Sequence, residues 1–111
     1  MKSVCVQIEF TLRCTAQRYH AIVEEAAARI AQVPGLQSKW WWLDRQAGRA
    51  GGVYSFDSRQ AAESYLAGPI VSALREAPFC EAVQVRIADL LLVTEPEGAV
   101  SVADRNRVAI R

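Results

Sequence analysis

Apolar and polar residues alternate from residue 4 to residue 12. Val4, Val6, Ile8, Phe10 and Leu12 fall on one side, and Cys5, Gln7, Glu9 and Thr11 on the other. A period of two, rich in β-branched types, predicts a strand. From 15 to 33 the period lengthens. Tyr19, Ile22, Val23, Ala26, Ala27 and Ile30 recur at helical spacing, with Thr15 as N-cap and Pro34-Gly35 as the stop. Residues 36–45 and 49–57 read as two strands of a hairpin, closed by a type I turn with Gly48 left-handed. That register sets Asp44 opposite Arg49, Trp42 opposite Gly51, Trp41 opposite Gly52 and Lys39 opposite Tyr54, so that two indoles face two glycines. Ser58 caps a helix over 59–67 with Ala61, Ala62, Tyr65 and Leu66 as its buried stripe. After Gly68-Pro69 a second short helix over 70–76 carries Ile70, Val71 and Leu74. Residues 80–94 return to strand character, with Val83, Val85 and Ile87 on one face. The run Leu90-Leu91-Leu92-Val93 predicts burial on both faces near the strand's end. Residues 95–98 form a turn. The stretch 99–111 is either an added strand or a loose tail.

The order βαββαβ is the ferredoxin-like split unit, an α+β fold with an antiparallel sheet and its helices on one face. It predicts one domain over 1–98 and an extension over 99–111. The helix-covered face is expected to hold Val4, Val6, Ile8, Phe10, Leu36, Trp40, Val53, Val83, Val85 and Ile87. The open face is then expected to hold Gln7, Glu9, Gln37, Lys39, Trp41, Tyr54, Phe56, Gln84 and Arg86. This second set is too aromatic for a routine solvated face and too polar for a dry core. Three coverings suit it: a second subunit, a single-stranded nucleic acid stacking on the aromatics, or water. A stacked dimer is favoured, because it buries Trp41, Tyr54 and Phe56 and encloses a cavity between the two sheets.

Composition narrows these options. The chain has 111 residues and a formal net charge of +1, so the basic bias of a phosphate-binding surface is lacking and nucleic acid is not the expected partner. No apolar run reaches the ~18 residues of a membrane span, and the N-terminal residues lack the pattern of a secretory leader. Three cysteines, Cys5, Cys14 and Cys80, show no CxxC spacing, which argues against a disulfide framework or a zinc site and for reduced thiols in a cytoplasmic protein. His20 is the single histidine, so a multi-histidine metal site is excluded, and it reads as a helix-surface residue. Gly51-Gly52 opens a strand rather than a helix and lacks the context of a phosphate loop.

The segments Gly35-Leu36-Gln37-Ser38-Lys39-Trp40-Trp41-Trp42, Gly48-Arg49-Ala50-Gly51-Gly52-Val53-Tyr54-Ser55-Phe56 and Ala61-Ala62-Glu63-Ser64-Tyr65-Leu66 together resemble the YdhR-type monooxygenase family. Their pattern is GL-x-x-K-x-W, a short turn, G-x-AGG-x-Y-x-F, then a helix with A-E-x-Y-L. Gln7-Ile8-x-Phe10 and Glu95-Pro96 extend the resemblance over most of residues 3–97. Trp40 and Trp42 are extra indoles beside the family tryptophan at Trp41, and residues 98–111 do not match. The resemblance implies a homodimer whose sheets form an α/β barrel. It also implies similarity to the monooxygenases of antibiotic biosynthesis, which oxidise polycyclic aromatic substrates with O₂ and no metal, flavin or haem.

Cofactor-free oxygenation requires an electron-rich substrate, an apolar cavity, a group that takes or orients a proton, and donors for developing negative charge. The candidates are Trp41, Tyr54 and Phe56 as walls for a small aromatic ring, Lys39 or Arg86 as oxyanion holder, Glu9 as base and Gln7 as carbonyl-orienting group. Glu9, Lys39 and Tyr54 are the catalytic candidates. Each also has a structural role to weigh: packing or barrel lining for Trp41, Tyr54 and Phe56, an inter-subunit ion pair for Lys39 and Glu9. Trp40 and Tyr65 are expected in the core. The same cavity also suits a non-catalytic protein that binds a small aromatic molecule.

Overall fold

A computed structural model describes residues 2–97. The elements run β1 (Val4–Leu12), α1 (Ala16–Ile30), β2 (Leu36–Asp44), β3 (Arg49–Phe56), α2 (Arg59–Leu66), α3 (Pro69–Glu76) and β4 (Cys80–Asp89). The four strands form one antiparallel sheet in the order β2-β3-β1-β4, the ferredoxin-like arrangement. No helix among the described residues is long and apolar enough to cross a membrane. The 98–99 boundary and the stretch 99–111 fall outside the described residues.

Local signals act as the sequence predicts. Thr15 Oγ1 accepts from Arg18 N at 3.0 Å and Ser58 Oγ from Ala61 N at 3.1 Å, each satisfying an open amide of the first helical turn. The hairpin turns at Gly48, whose φ of +66° is costly for a residue with a Cβ. The register pairs Lys39 with Tyr54, Trp41 with Gly52, Trp42 with Gly51 and Asp44 with Arg49, as expected.

β1 is central, and its inward residues Val4, Val6, Ile8 and Phe10 are almost wholly buried. They pair across the ladder with Phe56, Tyr54, Gly52 and Ala50. Cross-strand partners share a face. Tyr54 and Phe56 therefore lie under the helices, and through the hairpin so do Lys39 and Trp41. This corrects the expected faces. Trp40 and Val53, expected beneath the helices, are on the open face, and Trp40 is 49% exposed. Lys39, Trp41, Tyr54 and Phe56, expected on the open face, are on the helix side. The cause is a bulge in β2: Leu36 pairs with Phe56 but Ser38 already pairs with Ser55, leaving Gln37 as an extra residue. An inserted residue inverts the alternation beyond it. Leu36 and Lys39 thus share a face although they differ in parity.

β4 is also shorter than expected. It ends at Asp89, opposite Val4, where β1 begins, and beyond it Leu90 N donates to Ser3 O at 3.0 Å. Leu91 and Leu92 are 92% and 80% exposed, so the predicted burial on two faces does not hold. With no neighbouring strand beyond Ser3 among the described residues, that run has no ladder to join.

Candidate functional site

A cavity of about 260 Å³ lies between the sheet and the helices of a single chain. Its floor is Ile8, Phe10, Gly52 and Tyr54, its side is Lys39 and Trp41, and α1 and α3 roof it with Ile22, Ala26, Ile70 and Leu74. This cavity lies on the helix side of the sheet, within one protomer. Gly52 makes room for it: a Cβ there would stand 2.6 Å from Lys39 Cε.

Lys39 is half-buried. Its Nζ sits 3.2 Å from the centroid of the Trp41 ring and 4.4 Å from that of Tyr54, where the negative faces of both rings attract an ammonium. Burial still lowers its pKa from 10.5 to about 7, so the amine is partly neutral near neutrality. Among the described residues, no aspartate or glutamate lines the cavity. None of the ion pairs among the described residues includes Lys39; they join Arg13 to Glu81, Arg49 to Glu9 and Arg59 to Asp89.

Tyr54, 4% exposed, stacks on Phe56 with ring centroids 6.1 Å apart. Its hydroxyl meets that of Tyr65 at 3.2 Å. Burial pushes both phenols up, so they stay protonated, although the hydrogen bond from Tyr54 partly offsets the shift at Tyr65. The pair holds protons and offers a hydrogen bond; it is not a base. At the other end Phe10, Tyr19 and Phe79 pack ring against ring, with centroids 6.0 to 6.3 Å apart. Burial, with lesser contributions from Cys80 and Cys14, pushes Tyr19 up to about 12.

The sequence candidates thus divide into groups. Lys39, Trp41 and Tyr54 meet in the cavity. Phe56 is fully buried behind Tyr54 and does not line it. Gln7, Glu9 and Arg86 lie on the opposite side of the sheet, around a depression of about 330 Å³ shared with Gln84 and Val85. There Glu9 Oε2 accepts from Arg49 Nε at 3.0 Å, so its lone pairs serve an ion pair on the far side of the sheet from Lys39. The sequence marks Tyr65 as core alone, and a tyrosine in a buried helical stripe, whose hydroxyl needs a partner, is its only further signal. Arg29, near the end of α1, lines the cavity with no motif to announce it. A larger cleft of about 480 Å³ lies beyond Tyr65, between the α1–β2 turn and α2. Its Ser58 is committed to capping α2, and no lysine, arginine or histidine lines it among the described residues.

The sheet order, the helices on one face and the cavity between them define a ferredoxin-like α+β domain. The chain belongs to the family described as "Putative mono-oxygenase ydhR", whose model matches residues 5–96. No curated protein matches it. Among solved structures it is similar to the monooxygenase ActVA-Orf6 of Streptomyces coelicolor, crystallised with Nanaomycin D, at 18% identity and a TM-score of 0.64 over 86% of this chain and 94% of that one. SnoaB, a cofactor-independent oxygenase of Streptomyces nogalater, gives 15% identity and a TM-score of 0.62, covering 89% of this chain and 100% of its own. A mutant of MhuD, crystallised with two manganese protoporphyrins per active site, gives 15% and 0.67 over 84% of this chain and 99% of that one. At such identities the likeness fixes the fold alone.

A porphyrin does not fit the cavity described here. Among the described residues the lining has no histidine, cysteine or methionine to ligate iron, and burial keeps Tyr54 and Tyr65 protonated and bonded to each other. The volume of about 260 Å³ also lies below the about 300 Å³ at which drug-sized sites begin.

Proposed function

We propose that this protein is a monooxygenase that oxidises a small electron-rich aromatic molecule in the cavity between its sheet and its helices, using O₂ without a metal or organic cofactor. The observation that carries this reading is a lysine amine set among aromatic walls beside a protonated tyrosine pair, with no carboxylate among the described residues of the lining. Family membership supports the reaction class.

The chemistry follows from these groups. Neutral Lys39 takes a proton from an acidic C–H or O–H of the substrate, and the ammonium so formed holds the resulting anion. The electron-rich anion passes an electron to O₂, and a C–O bond forms on recombination to give a peroxide. Tyr54 and Tyr65 offer a hydrogen bond to its oxygen. Breaking the O–O bond leaves one oxygen in the product as a carbonyl. The other departs as water with the two hydrogens that the substrate loses, the proton first taken by Lys39 and the one on the carbon that bonds oxygen. The apolar walls keep bulk water from the intermediate.

Oxygen uptake with a panel of hydroxylated aromatics and quinols tests this. Uptake by the wild type that falls by about two orders of magnitude in folded Lys39→Met and several-fold in Tyr54→Phe is the expected result. Ligand binding, seen as Trp41 fluorescence quenching with no product from any substrate, would instead make the protein a carrier.

We also infer that the open face of the sheet meets a second copy in a homodimer. The support is Trp40, 49% exposed on the edge strand β2, on the same face as the Arg49–Glu9 pair, whose mixed signs suit a twofold interface.

A further inference from the structure

The cavity carries positive charge that nothing in its walls balances. Lys39 lies inside and Arg29, exposed on α1, stands at its edge, while no Asp or Glu lines it among the described residues. A cation held in low dielectric without a counter-ion is expensive, and the aromatic faces of Trp41 and Tyr54 compensate it only in part. A ligand bearing a negative charge would complete the pair. We propose that the site selects aromatic monoanions, a flat ring in the apolar part of the cavity with its carboxylate or phenolate on Lys39, over neutral aromatics of the same shape. This rests on the cavity of the proposed monooxygenase and names its substrate class.

The groups facing Lys39 fix the pH behaviour. β2 contributes Trp41 and β3 contributes Tyr54; α2 brings Tyr65, and α1 brings Tyr19 and Arg29. β1 and α3 bring apolar residues such as Ile8 and Ile70. The three phenols stay neutral through pH 9, because burial raises them all. Lys39 is then the group that changes charge when an anion arrives. Above pH 7 Lys39 of the free site is largely neutral, so anion binding draws a proton onto it.

The probes are 2-naphthoate and its neutral isostere 2-naphthamide, titrated into the full chain by calorimetry at pH 8 in two buffers of different ionisation enthalpy. Naphthoate should bind about tenfold or more tightly than the amide, with up to one proton taken up. Lys39→Met and Lys39→Gln should abolish both the preference and the uptake, and Arg29→Gln should weaken the acid only. Equal binding of acid and amide, binding of neither, or a preference that survives in the Lys39 variants overturns the proposal. Oxygen consumption plays no part in this readout. Anion selectivity without turnover would therefore retire the oxygenase reading and leave the site, whereas turnover without selectivity would do the reverse.

Discussion

Lys39 is where the residue scale decides most. An ammonium moved from water to the cavity loses solvation, and its pKa falls to about 7. The unfolded chain therefore binds the extra proton between about pH 7 and 10.5, and folding stability rises with pH across that window. Below pH 7 both states are protonated and the full penalty applies. Lys39→Met should accordingly stabilise the protein by about 1–2 kcal/mol at pH 6, allowing for the lysine's partial exposure, and by almost nothing at pH 11. Urea denaturation at several pH values checks this, and a wild-type stability that falls between pH 7 and 10 would contradict it.

At the scale of elements, two irregularities in the ladder shape the site. The bulge at Gln37 turns Lys39 and Trp41 toward the helices. A second lies between β1 and β4, where the register shifts between Glu9 and Thr11 and Ala82 adopts φ +56°. A residue with a Cβ in that region is strained by about 1–2 kcal/mol, while glycine costs more unfolded entropy. Ala82→Gly should therefore raise stability by roughly 0.5 kcal/mol, read from the denaturation midpoint. Gly51→Ala should do the opposite by about 3 kcal/mol, since its Cβ would meet Ile8 O at 2.0 Å in rigid backbone.

Legibility follows the same irregularities. The elements, the caps at Thr15 and Ser58 and the register of the hairpin are readable, because each is set by local period or local hydrogen bonding. Pairing Trp41 with Gly52 is readable because an indole needs space. What the sequence does not show is which face of the hairpin is covered. That depends on a single inserted residue, and Gln37 carries no signal distinguishing a bulge from an ordinary strand position. The correct register then carries the inverted faces from β2 to β3, so the sequence groups Lys39, Trp41 and Tyr54 rightly but sets them on the wrong side of the sheet. Arg29 gives no sign of itself, because one basic residue near the end of a helix is what the helix dipole favours anyway.

For the whole molecule, the cavity lies on the helix side of the sheet and the face proposed for dimerisation on the other, which separates assembly from chemistry. The open face bears Trp40 and the Glu9–Arg49 pair. Trp40→Glu should shift sedimentation from dimer to monomer at micromolar concentration, because burying an unpaired carboxylate at each copy costs several kcal/mol. A monomeric wild type would remove the dimer and leave the cavity intact.

The reaction itself is tested most directly by turnover under ¹⁸O₂ with a quinol or hydroxylated aromatic substrate, followed by mass spectrometry of the product. One labelled oxygen atom per product molecule, with label and product both lost in folded Lys39→Met, is the result expected. Product that carries no label, or labelled product formed equally well by Lys39→Met, would contradict a monooxygenase working in this cavity.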